Sequence, residues 1–250
     1  MNLLSRMKHI YFVSENVSKY KEIENYLRKS NLNNSNISIQ LQMIKPEFEI
    51  QEIQSLDRSE IVIKKLQDAF SSVKSLINHQ SHNQNHNQNH NQNHNQNHNQ
   101  NISRDCNGES VGENIGGSND ETWIMVEDTS LCIDKMGGFP GAFIKYYLQS
   151  LPINGISYAN WGSNATAYVT LGIGRCVFSS DNTSSLLSSR VFEGFIEGVI
   201  VEPRGKNGFG YDPIFKPSNS LITNAEMSMD EKELFNPRTN AFKKVLDFLG

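Results

Sequence analysis

The chain has 250 residues, a formal net charge of −4 at pH 7 and an isoelectric point near 6.0, so it lacks the overall positive field with which nonspecific nucleic-acid binders neutralise phosphates. Its three cysteines have no CxxC spacing, which favours a reducing compartment over a disulfide framework or a zinc cluster. Residues 1–14 show no secretory signal, and no apolar run approaches the roughly 20 residues that cross a bilayer. We therefore expect a cytoplasmic protein with neither nucleic-acid nor membrane partners, in which any phosphate site is built locally.

The apolar patterns alternate between strand and helix periodicity, which predicts a single α/β domain. In chain order, a buried strand at 8–14 leads into a helix at 17–28, and a second helix covers 60–73. A strand at 123–126 and a short helix at 142–148 follow. The remaining patterns predict antiparallel strands and a terminal helix, at 165–173, 175–178, 191–201 and 240–249.

A low-complexity segment interrupts this domain. Residues 79–101 are almost wholly Asn, His and Gln, with NHNQ repeating at 85–100, and a polar composition continues to residue 120. Such a segment cannot bury enough apolar surface to offset the entropy of ordering it, so we predict a disordered insertion at about 77–121. A second polar stretch, 179–189, is predicted to be a loop between strands.

The distribution of histidine argues against several classes of enzyme. Six of the seven histidines lie in the low-complexity segment, and only His9 lies elsewhere. A Ser/His/Asp triad or a catalytic zinc site with histidine ligands is therefore poorly supported.

The turn from the first strand into the first helix is a candidate anion site. It contains Ser14, Asn16 and Lys19. The free N–H groups at the start of a helix favour an anion, and a lysine in the first turn adds a positive charge. An ordinary helix cap with a solvated lysine is the alternative explanation of the same residues.

Glu127 and Asp128 follow the apolar strand at 123–126, and we place them at its end. Adjacent strand residues point to opposite faces, so only one carboxylate can enter a given cleft, where it can hold Mg²⁺ or orient water. A surface acidic pair is the alternative. The segment 137–141 has three glycines about a proline, which suits a turn that lines a ligand.

A third candidate is the glycine-containing turn at 207–213, which carries Phe209, Tyr211 and Asp212. Aromatic side chains can stack a base, and a carboxylate can accept hydrogen bonds from ring N–H groups. A β-turn with packed aromatic side chains is the alternative.

Taken together and in this order, the motifs resemble the inosine triphosphate pyrophosphatase (ITPase) family, whose members hydrolyse inosine, deoxyinosine and xanthosine triphosphates. Ser14-x-Asn16-x-x-Lys19 resembles the amino-terminal phosphate motif of that family, and 126–131 followed by 137–141 resembles its central signature. The resemblance spans both ends of the chain, excludes mainly the low-complexity segment, and continues through 203–205, 208–213, 225–227 and 231–232.

The resemblance implies an elongated α/β fold, in which a curved mixed sheet and two lobes surround a substrate cleft, and it implies a homodimer. The implied reaction is the cleavage of a purine nucleoside triphosphate to the monophosphate and pyrophosphate. Mg²⁺ is the implied cofactor, with Mn²⁺ as a substitute. Glu52 and Asp128 are the implied metal ligands, and Asp128 is also the residue expected to orient or deprotonate the attacking water.

The resemblance also assigns the substrate-binding residues. Lys19, Lys65 and Lys232 would stabilise phosphate charge, and Lys145 is a further ligand-binding lysine. Phe209 would stack the base, while Arg238 and Asp212 would read its edge. The remaining members of the implied binding set lie in the same motifs: Ser14, Glu15, Asn16, Val17, Ser18, Asp128, Thr129, Gly210, Tyr211 and Pro237.

The chain departs from the family pattern at one place. The family usually ends its base-reading segment with Ser-His-Arg, whereas this chain has Asn236, Pro237 and Arg238. Proline has neither a backbone N–H nor a polar side-chain group, so it cannot make the contacts of the usual histidine. The departure bears on base preference and leaves the prediction of phosphate cleavage in place.

Two other functions fit the same sequence. A related pyrophosphatase could prefer a different base, such as a modified pyrimidine or a methylated nucleotide, and a panel of substrates would separate the two. A weakly active nucleotide-binding protein could instead use the Asn/His/Gln segment for association, because such segments are prone to self-assembly. The presence of Glu52, Asp128 and the lysines argues against this last function.

Overall fold

A computed structural model of the chain describes residues 6–30, 37–88, 120–178 and 184–250. The helices and strands of these residues are, in chain order, β1 (Arg6–Val13), α1 (Val17–Lys29), β2 (Ile37–Ile44), α2 (Arg58–Gln88), β3 (Glu121–Ile133), β4 (Pro140–Gly141), α3 (Ile144–Ser150), α4 (Ile153–Asn160), β5 (Asn164–Val177), β6 (Ser185–Ile200), β7 (Phe215–Pro217), α5 (Met229–Glu233) and α6 (Pro237–Leu249).

The strands form one curled, mixed sheet in the order β2-β1-β3-β5-β6-β7, with β4 paired to β3. β1 is parallel to both β2 and β3, and the helices α1 and α2 make the connections that parallel strands require. From β3 onward, each neighbouring pair is antiparallel. The predicted α/β fold with a curved mixed sheet is confirmed.

Side chains on β3 alternate between two apolar clusters on opposite faces of the sheet. Trp123 and Met125 pack with α1 and α6, whereas Ile124 and Val126 pack against α2. This is the period of two that a strand buried on both faces must have. Continuing the same alternation, Glu127 points to the side of α1 and α6, and Asp128 points to the side of α2.

A third apolar cluster begins farther along β3. It contains Leu131 and Ile133 together with Ile144 of α3, Ile156 of α4 and Phe215 of β7. Four polar residues, 127–130, separate this cluster from the other two. The core is therefore divided along β3, and the division lies at the acidic pair.

The edge of β3 that faces β1 is open beside the acidic pair. Pairing of β1 with β3 ends at Phe12 and Met125, and pairing of β4 with β3 begins at Leu131. Between these points, the described strands pair with β3 only on the β5 side. Because β1 and β2 both end at this opening, the loops that follow these two strands lie next to the acidic pair.

Several predicted boundaries are wrong. Glu127 and Asp128 do not end a strand but lie in the middle of β3, because pairing with β5 continues through Ile133. The two strands predicted at 165–173 and 175–178 are one strand, β5. The predicted loop at 179–189 is too long, since β6 begins at Ser185.

Other differences concern helices and elements that the patterns did not reveal. α6 begins three residues earlier than predicted, and α2 continues to Gln88, into the range predicted to be disordered. A helix that is already nucleated adds residues at little cost, which accounts for this extension. The rest of the predicted insertion up to residue 119 lies outside the described residues. β2, β4, α4, β7 and α5 were not predicted. None of the described helices is both long and apolar enough to span a membrane.

A glycine on β6 sets the distance between the sheet and α6. A Cβ atom at Gly194 would lie 2.1 Å from the carbonyl oxygen of Pro237 and 2.5 Å from the amide nitrogen of Ala241. Both are backbone atoms in the first turns of α6, so they cannot rotate away. Gly194 therefore lets the start of α6 approach the sheet.

We predict that Gly194→Ala lowers the free energy of unfolding by about 1 to 3 kcal/mol, because α6 must move to admit the methyl group. Urea denaturation measures the change. Gly155→Ala in α4 is the matched control, since its nearest atoms would be 3.7 Å away and alanine favours a helix by about 1 kcal/mol. Equal stability of the two variants would contradict the proposed close packing.

Candidate active site

A cleft of about 710 Å³ opens where β1 ends and β3 continues. The residues that the resemblance assigned to substrate and metal all line this cleft: Ser14, Glu15, Asn16, Val17, Ser18, Lys19, Glu52, Lys65, Asp128, Thr129, Lys145, Phe209, Gly210, Tyr211, Asp212, Lys232, Pro237 and Arg238. Residues from the two ends of the chain thus meet at one place. The turn at 137–141, which was also expected to line a ligand, does not line the cleft.

The start of α1 is closed by its own cap. The side chain of Asn16 accepts hydrogen bonds from the amides of Ser18 and Lys19, at 3.0 and 3.3 Å, and Ser14 Oγ accepts from the Asn16 amide. The helix-cap explanation is therefore correct for Asn16, and two amides of the first turn are already satisfied. The positive charge that the segment brings to the cleft is the ammonium of Lys19.

Glu127 lies at the centre of a buried ionic network on the α1 and α6 side. Its two oxygens accept from Arg238 Nε and Nη2 at 2.6 and 2.8 Å, and Lys19 Nζ lies 3.1 Å away. Thr129 Oγ1 also donates to Glu127. Burial raises the pKa of Glu127, but Arg238 and Lys19 outweigh burial and lower that pKa to about 2. Glu127 therefore stays ionised at neutral pH.

Glu22 extends the network to the far end of the cleft. It accepts from Arg238 Nη1 and, at 2.6 Å, from Asn236 Nδ2, and its other oxygen lies 2.8 Å from Lys232 Nζ. Burial raises the pKa of Glu22, but Arg238 and Lys232 hold it below its usual range. Our reading of the sequence missed Glu22. Its spacing of three residues from Lys19, which puts both on one face of α1, was the available signal.

Lys65 joins the acidic residues on the α2 side. Its Nζ lies 3.2 Å from each of three oxygens, namely Glu52 Oε1, Asp128 Oδ1 and the carbonyl of Glu127. Burial lowers the pKa of Lys65, but Asp128 and Glu52 outweigh this effect and raise it. Burial likewise raises the pKa of Glu52, but Lys65 and Lys145 hold it below its usual range. Lys65 and Glu52 therefore both remain charged.

Asp128 differs from its neighbours. Its pKa is raised by burial, and the opposing effect of Lys65 is too small to cancel that of burial. Oδ1 accepts from Lys65, whereas Oδ2 is buried with no hydrogen-bond partner. A buried carboxylate oxygen without a donor is unfavourable in an isolated protein. The unpartnered oxygen indicates that a bound cation or a water molecule completes the site.

The aromatic end of the cleft is built by a tight turn. Gly208 has φ of +77°, and a Cβ there would lie 2.1 Å from Asp212 Oδ2. That oxygen accepts from the amide of Phe209 at 2.8 Å and from Lys232 Nζ at 2.7 Å. The Phe209 ring then lies 5.1 Å from Lys232 Nζ and 5.7 Å from Arg238 Cζ.

Asn236 and Pro237 have a local structural role. Asn236 is the N-cap of α6, and its side chain accepts from the amide of Arg238 at 2.9 Å. Pro237 occupies the first helical position, where its missing N–H would have had no partner within the helix. The Asn-Pro-Arg sequence therefore places Arg238 in the first turn of α6, directed at Glu127.

Three predicted residues can be described by their contacts within the protein. Lys232, which the resemblance assigns to the phosphates, has its ammonium paired with Glu22 and Asp212 beside Phe209. Asp212, which the resemblance assigns to the edge of the base, supports the Phe209 turn through Oδ2. Lys145 is largely exposed, and its Nζ lies 3.6 Å from Glu52.

The family model of the Ham1 family matches residues 73–248 of this chain. The match includes β3 and the Phe209 turn but not α1 or Lys65. In solved structures, the chain is similar to a Staphylococcus aureus Ham1 protein, with a TM-score of 0.54 and 18% identity over 96% of this chain and 97% of that one. It is also similar to a HAM1 protein from Coxiella burnetii, with a TM-score of 0.58 and 21% identity over 97% and 98%.

Two curated relatives carry the name inosine triphosphate pyrophosphatase. The protein from Puccinia graminis f. sp. tritici is 36% identical over 121 residues, which is 48% of this chain and 60% of the relative. Inosine triphosphate pyrophosphatase 2 from Trypanosoma cruzi is 37% identical over 121 residues, which is 47% of this chain and 58% of the relative. The matched part thus spans less than two thirds of the length of either relative.

We predict that Glu127→Gln lowers the free energy of unfolding at pH 7 by about 3 to 5 kcal/mol, because Arg238 is left buried beside an uncharged amide. The pKa of Glu127 is lowered from 4.5 to about 2 in the folded protein. Its ionisation therefore stabilises the fold above pH 4.5, and this contribution is lost as the pH falls toward 2. Urea denaturation across this range should show a steeper loss of stability in the parent than in the variant.

Glu202→Gln is the control for this experiment, because Glu202 is exposed. It should match the parent in stability and in pH dependence. If Glu127→Gln behaved in the same way as this control, the ionic network would not stabilise the fold.

Proposed function

This chain belongs to the Ham1 family, and from that membership and its cleft we propose that it is a magnesium-dependent pyrophosphatase. The proposed reaction hydrolyses non-standard purine nucleoside triphosphates, namely ITP, dITP and XTP, to the monophosphate and pyrophosphate, and so removes them from the nucleotide pool. One observation carries the proposal. A single cleft combines several lysine ammonium groups, a carboxylate pair with an unpartnered oxygen, and an aromatic turn.

The phosphate end of the cleft is where the ammonium groups of Lys19, Lys65 and Lys145 gather around Glu52 and Asp128. A triphosphate carries several negative charges, and the chain as a whole is acidic, so binding depends on this local group of cations. We propose that these three lysines bind the phosphates of the substrate. We place Lys232 at the base end instead, because its ammonium lies 5.1 Å from the centre of the Phe209 ring.

The residues fit the Mg²⁺ that the family resemblance implies. Glu52 and Asp128 offer carboxylate oxygens, and Asp128 Oδ2 is buried without a donor. Among the described residues, no group of three or more His, Cys, Asp and Glu side chains forms a complete cage, which suits an ion that keeps several waters and binds substrate phosphates. We propose that Glu52 and Asp128 hold Mg²⁺, or Mn²⁺ in its place, and that the ion neutralises phosphate charge.

Asp128 is the proposed base. Burial raises its pKa, and a carboxylate with a raised pKa accepts a proton more readily. A water oxygen attacks the α-phosphorus, the bond from that phosphorus to the bridging oxygen breaks, and pyrophosphate leaves with the bonding electrons. The water proton passes to Asp128. Lys19 and Lys65 hold the phosphates during this displacement.

The base end of the cleft combines Phe209 with Arg238. Phe209 offers a ring for stacking. Three N–H groups of Arg238 donate hydrogen bonds to Glu127 and Glu22. Its two further N–H groups can donate to the acceptor at position 6 of a keto purine. Pro237 contributes no polar contact, so we propose that the preference for ITP over ATP is retained but reduced. A pyrophosphatase with a different base preference is the second candidate, and Pro237 favours it.

The homodimer that the family resemblance implies remains a proposal. Light scattering of the purified chain measures its mass directly and separates a dimer from a monomer.

We predict that Asp128→Asn remains folded but loses most pyrophosphate release, by about 100-fold or more, because the amide keeps the shape and loses the charge that water and cation need. The assay covers ITP, dITP, XTP, GTP, ATP and UTP with Mg²⁺. Asp134→Asn, at an exposed position, should retain the activity of the parent. Near-parental turnover by a folded Asp128→Asn protein would remove Asp128 from the mechanism.

We predict that Pro237→His increases the ratio of kcat/KM for ITP to that for ATP by about tenfold, because one additional polar contact discriminates by about 1 to 3 kcal/mol. Pro237→Ala is the matched control, since it restores the backbone N–H without an imidazole. Its ratio should stay near that of the parent. Equal use of ITP and ATP by the parent, or equal ratios in the two variants, would refute this account of base choice.

A further inference from the structure

Lys65 holds the two proposed metal ligands together. Its ammonium lies 3.2 Å from Glu52 Oε1 and 3.2 Å from Asp128 Oδ1, and its side chain is only 11% exposed. Lys145 also approaches Glu52, at 3.6 Å, but its side chain is 57% exposed and water screens its charge. Lys65 is therefore the main positive charge that balances this carboxylate pair.

A divalent cation at the same pair would have to displace this contact. Ammonium and metal ion are both attracted to Glu52 Oε1 and Asp128 Oδ1, and they repel each other at contact distance. Among the carboxylate oxygens of Glu52 and Asp128, only Asp128 Oδ2 is buried without a hydrogen-bond partner. The cation can thus bind Asp128 Oδ2 directly, but it must compete with Lys65 for Glu52 Oε1 and Asp128 Oδ1.

A bound nucleotide offers the ammonium of Lys65 a second set of anionic oxygens, those of the phosphates. Lys65 lines the same cleft as Lys19 and Lys145, and a lysine has a flexible stem with three rotatable donors, so its head can turn toward phosphate oxygens. We propose that Lys65 is an internal cation which neutralises Glu52 and Asp128 when the cleft is empty and moves to the triphosphate when nucleotide and metal bind. This inference rests on the proposed function, because it assigns phosphate and metal to this cleft.

Such an exchange couples the two ligands. Nucleotide draws Lys65 away from the carboxylates and so raises their affinity for the metal. By linkage, metal raises the affinity for nucleotide to the same extent. The empty enzyme then keeps Lys65 beside the buried Asp128 and the half-buried Glu52, and it has low affinity for metal until substrate arrives.

The test measures Mn²⁺ binding by electron paramagnetic resonance to the full-length parent, Lys65→Met and Lys64→Met, with and without an α,β-methylene analogue of ITP. Lys64 is the matched control, because it is the adjacent residue on α2 and pairs with Asp68 outside the cleft. A protein-free titration corrects for Mn²⁺ bound by the analogue itself.

Without the analogue, Lys65→Met should bind Mn²⁺ roughly tenfold more tightly than the parent, and the analogue should raise Mn²⁺ affinity roughly tenfold less in Lys65→Met than in the parent. Lys64→Met should match the parent in both conditions. Parental or weaker Mn²⁺ binding by Lys65→Met without nucleotide, or undiminished coupling, would overturn the proposal.

Thermal unfolding provides a second readout. Without metal, Lys65→Met should melt at a lower temperature than the parent, because its carboxylates are unpaired, and Mn²⁺ should raise its Tm more than that of the parent. If Lys65→Met does not fold, Lys65→Gln replaces it, since the amide keeps a donor without the charge. Equal responses of Tm to Mn²⁺ would count against the exchange. A failure of the proposed function would be seen separately, as absence of pyrophosphate release by the parent with every nucleotide.

Discussion

Two adjacent carboxylates in the middle of a buried strand are the constraint around which this structure is organised. Because side chains alternate along β3, Glu127 and Asp128 must point to opposite faces of the sheet. Each is buried, so each needs cations that its own strand does not provide. α1 and α6 provide Lys19 and Arg238 on one face, and α2 provides Lys65 on the other. The positions of α1, α2 and α6 on the sheet therefore determine whether the charges of Glu127 and Asp128 are neutralised.

The two carboxylates have acquired different chemistry from these surroundings. Glu127 makes short contacts with two cations, and its pKa is lowered to about 2, so it serves as a fixed anion that aligns Arg238. Asp128 shares its one cation with Glu52, and its pKa is raised. Separate environments for neighbouring acids permit one to be structural and the other to accept a proton. Both carboxylates line the same cleft at the open edge of β3 between the pairing regions of β1 and β4, whereas the sequence led us to expect only one of them there.

Sequence patterns were sufficient for the fold class and for most elements around β3, and the family resemblance named most of the charged residues that line the cleft. Apolar periodicity located β1, α1 and β3, and the ordered motifs identified the residues that meet at the site. Element bounds were less well predicted. Nothing in the apolar run at 123–126 signals that β3 continues through Ile133, since that extension depends on pairing with β5. β2 was missed although Ile37–Ile44 alternates apolar and polar residues, which is the pattern of a half-buried strand at a sheet edge.

The sequence by itself determined which residue types are available and which face of each strand they occupy, because the period of a strand is local. Only the tertiary structure decided their partners. Glu22 and Lys232 are separated by 210 residues along the chain, and no local pattern indicates that they form an ion pair. The same applies to Lys65, whose position among Glu52, Asp128 and the Glu127 carbonyl arises from the packing of α2 on β3. Whether a charged residue binds substrate or balances another charge depends on such contacts, because burial and distance set electrostatic energies.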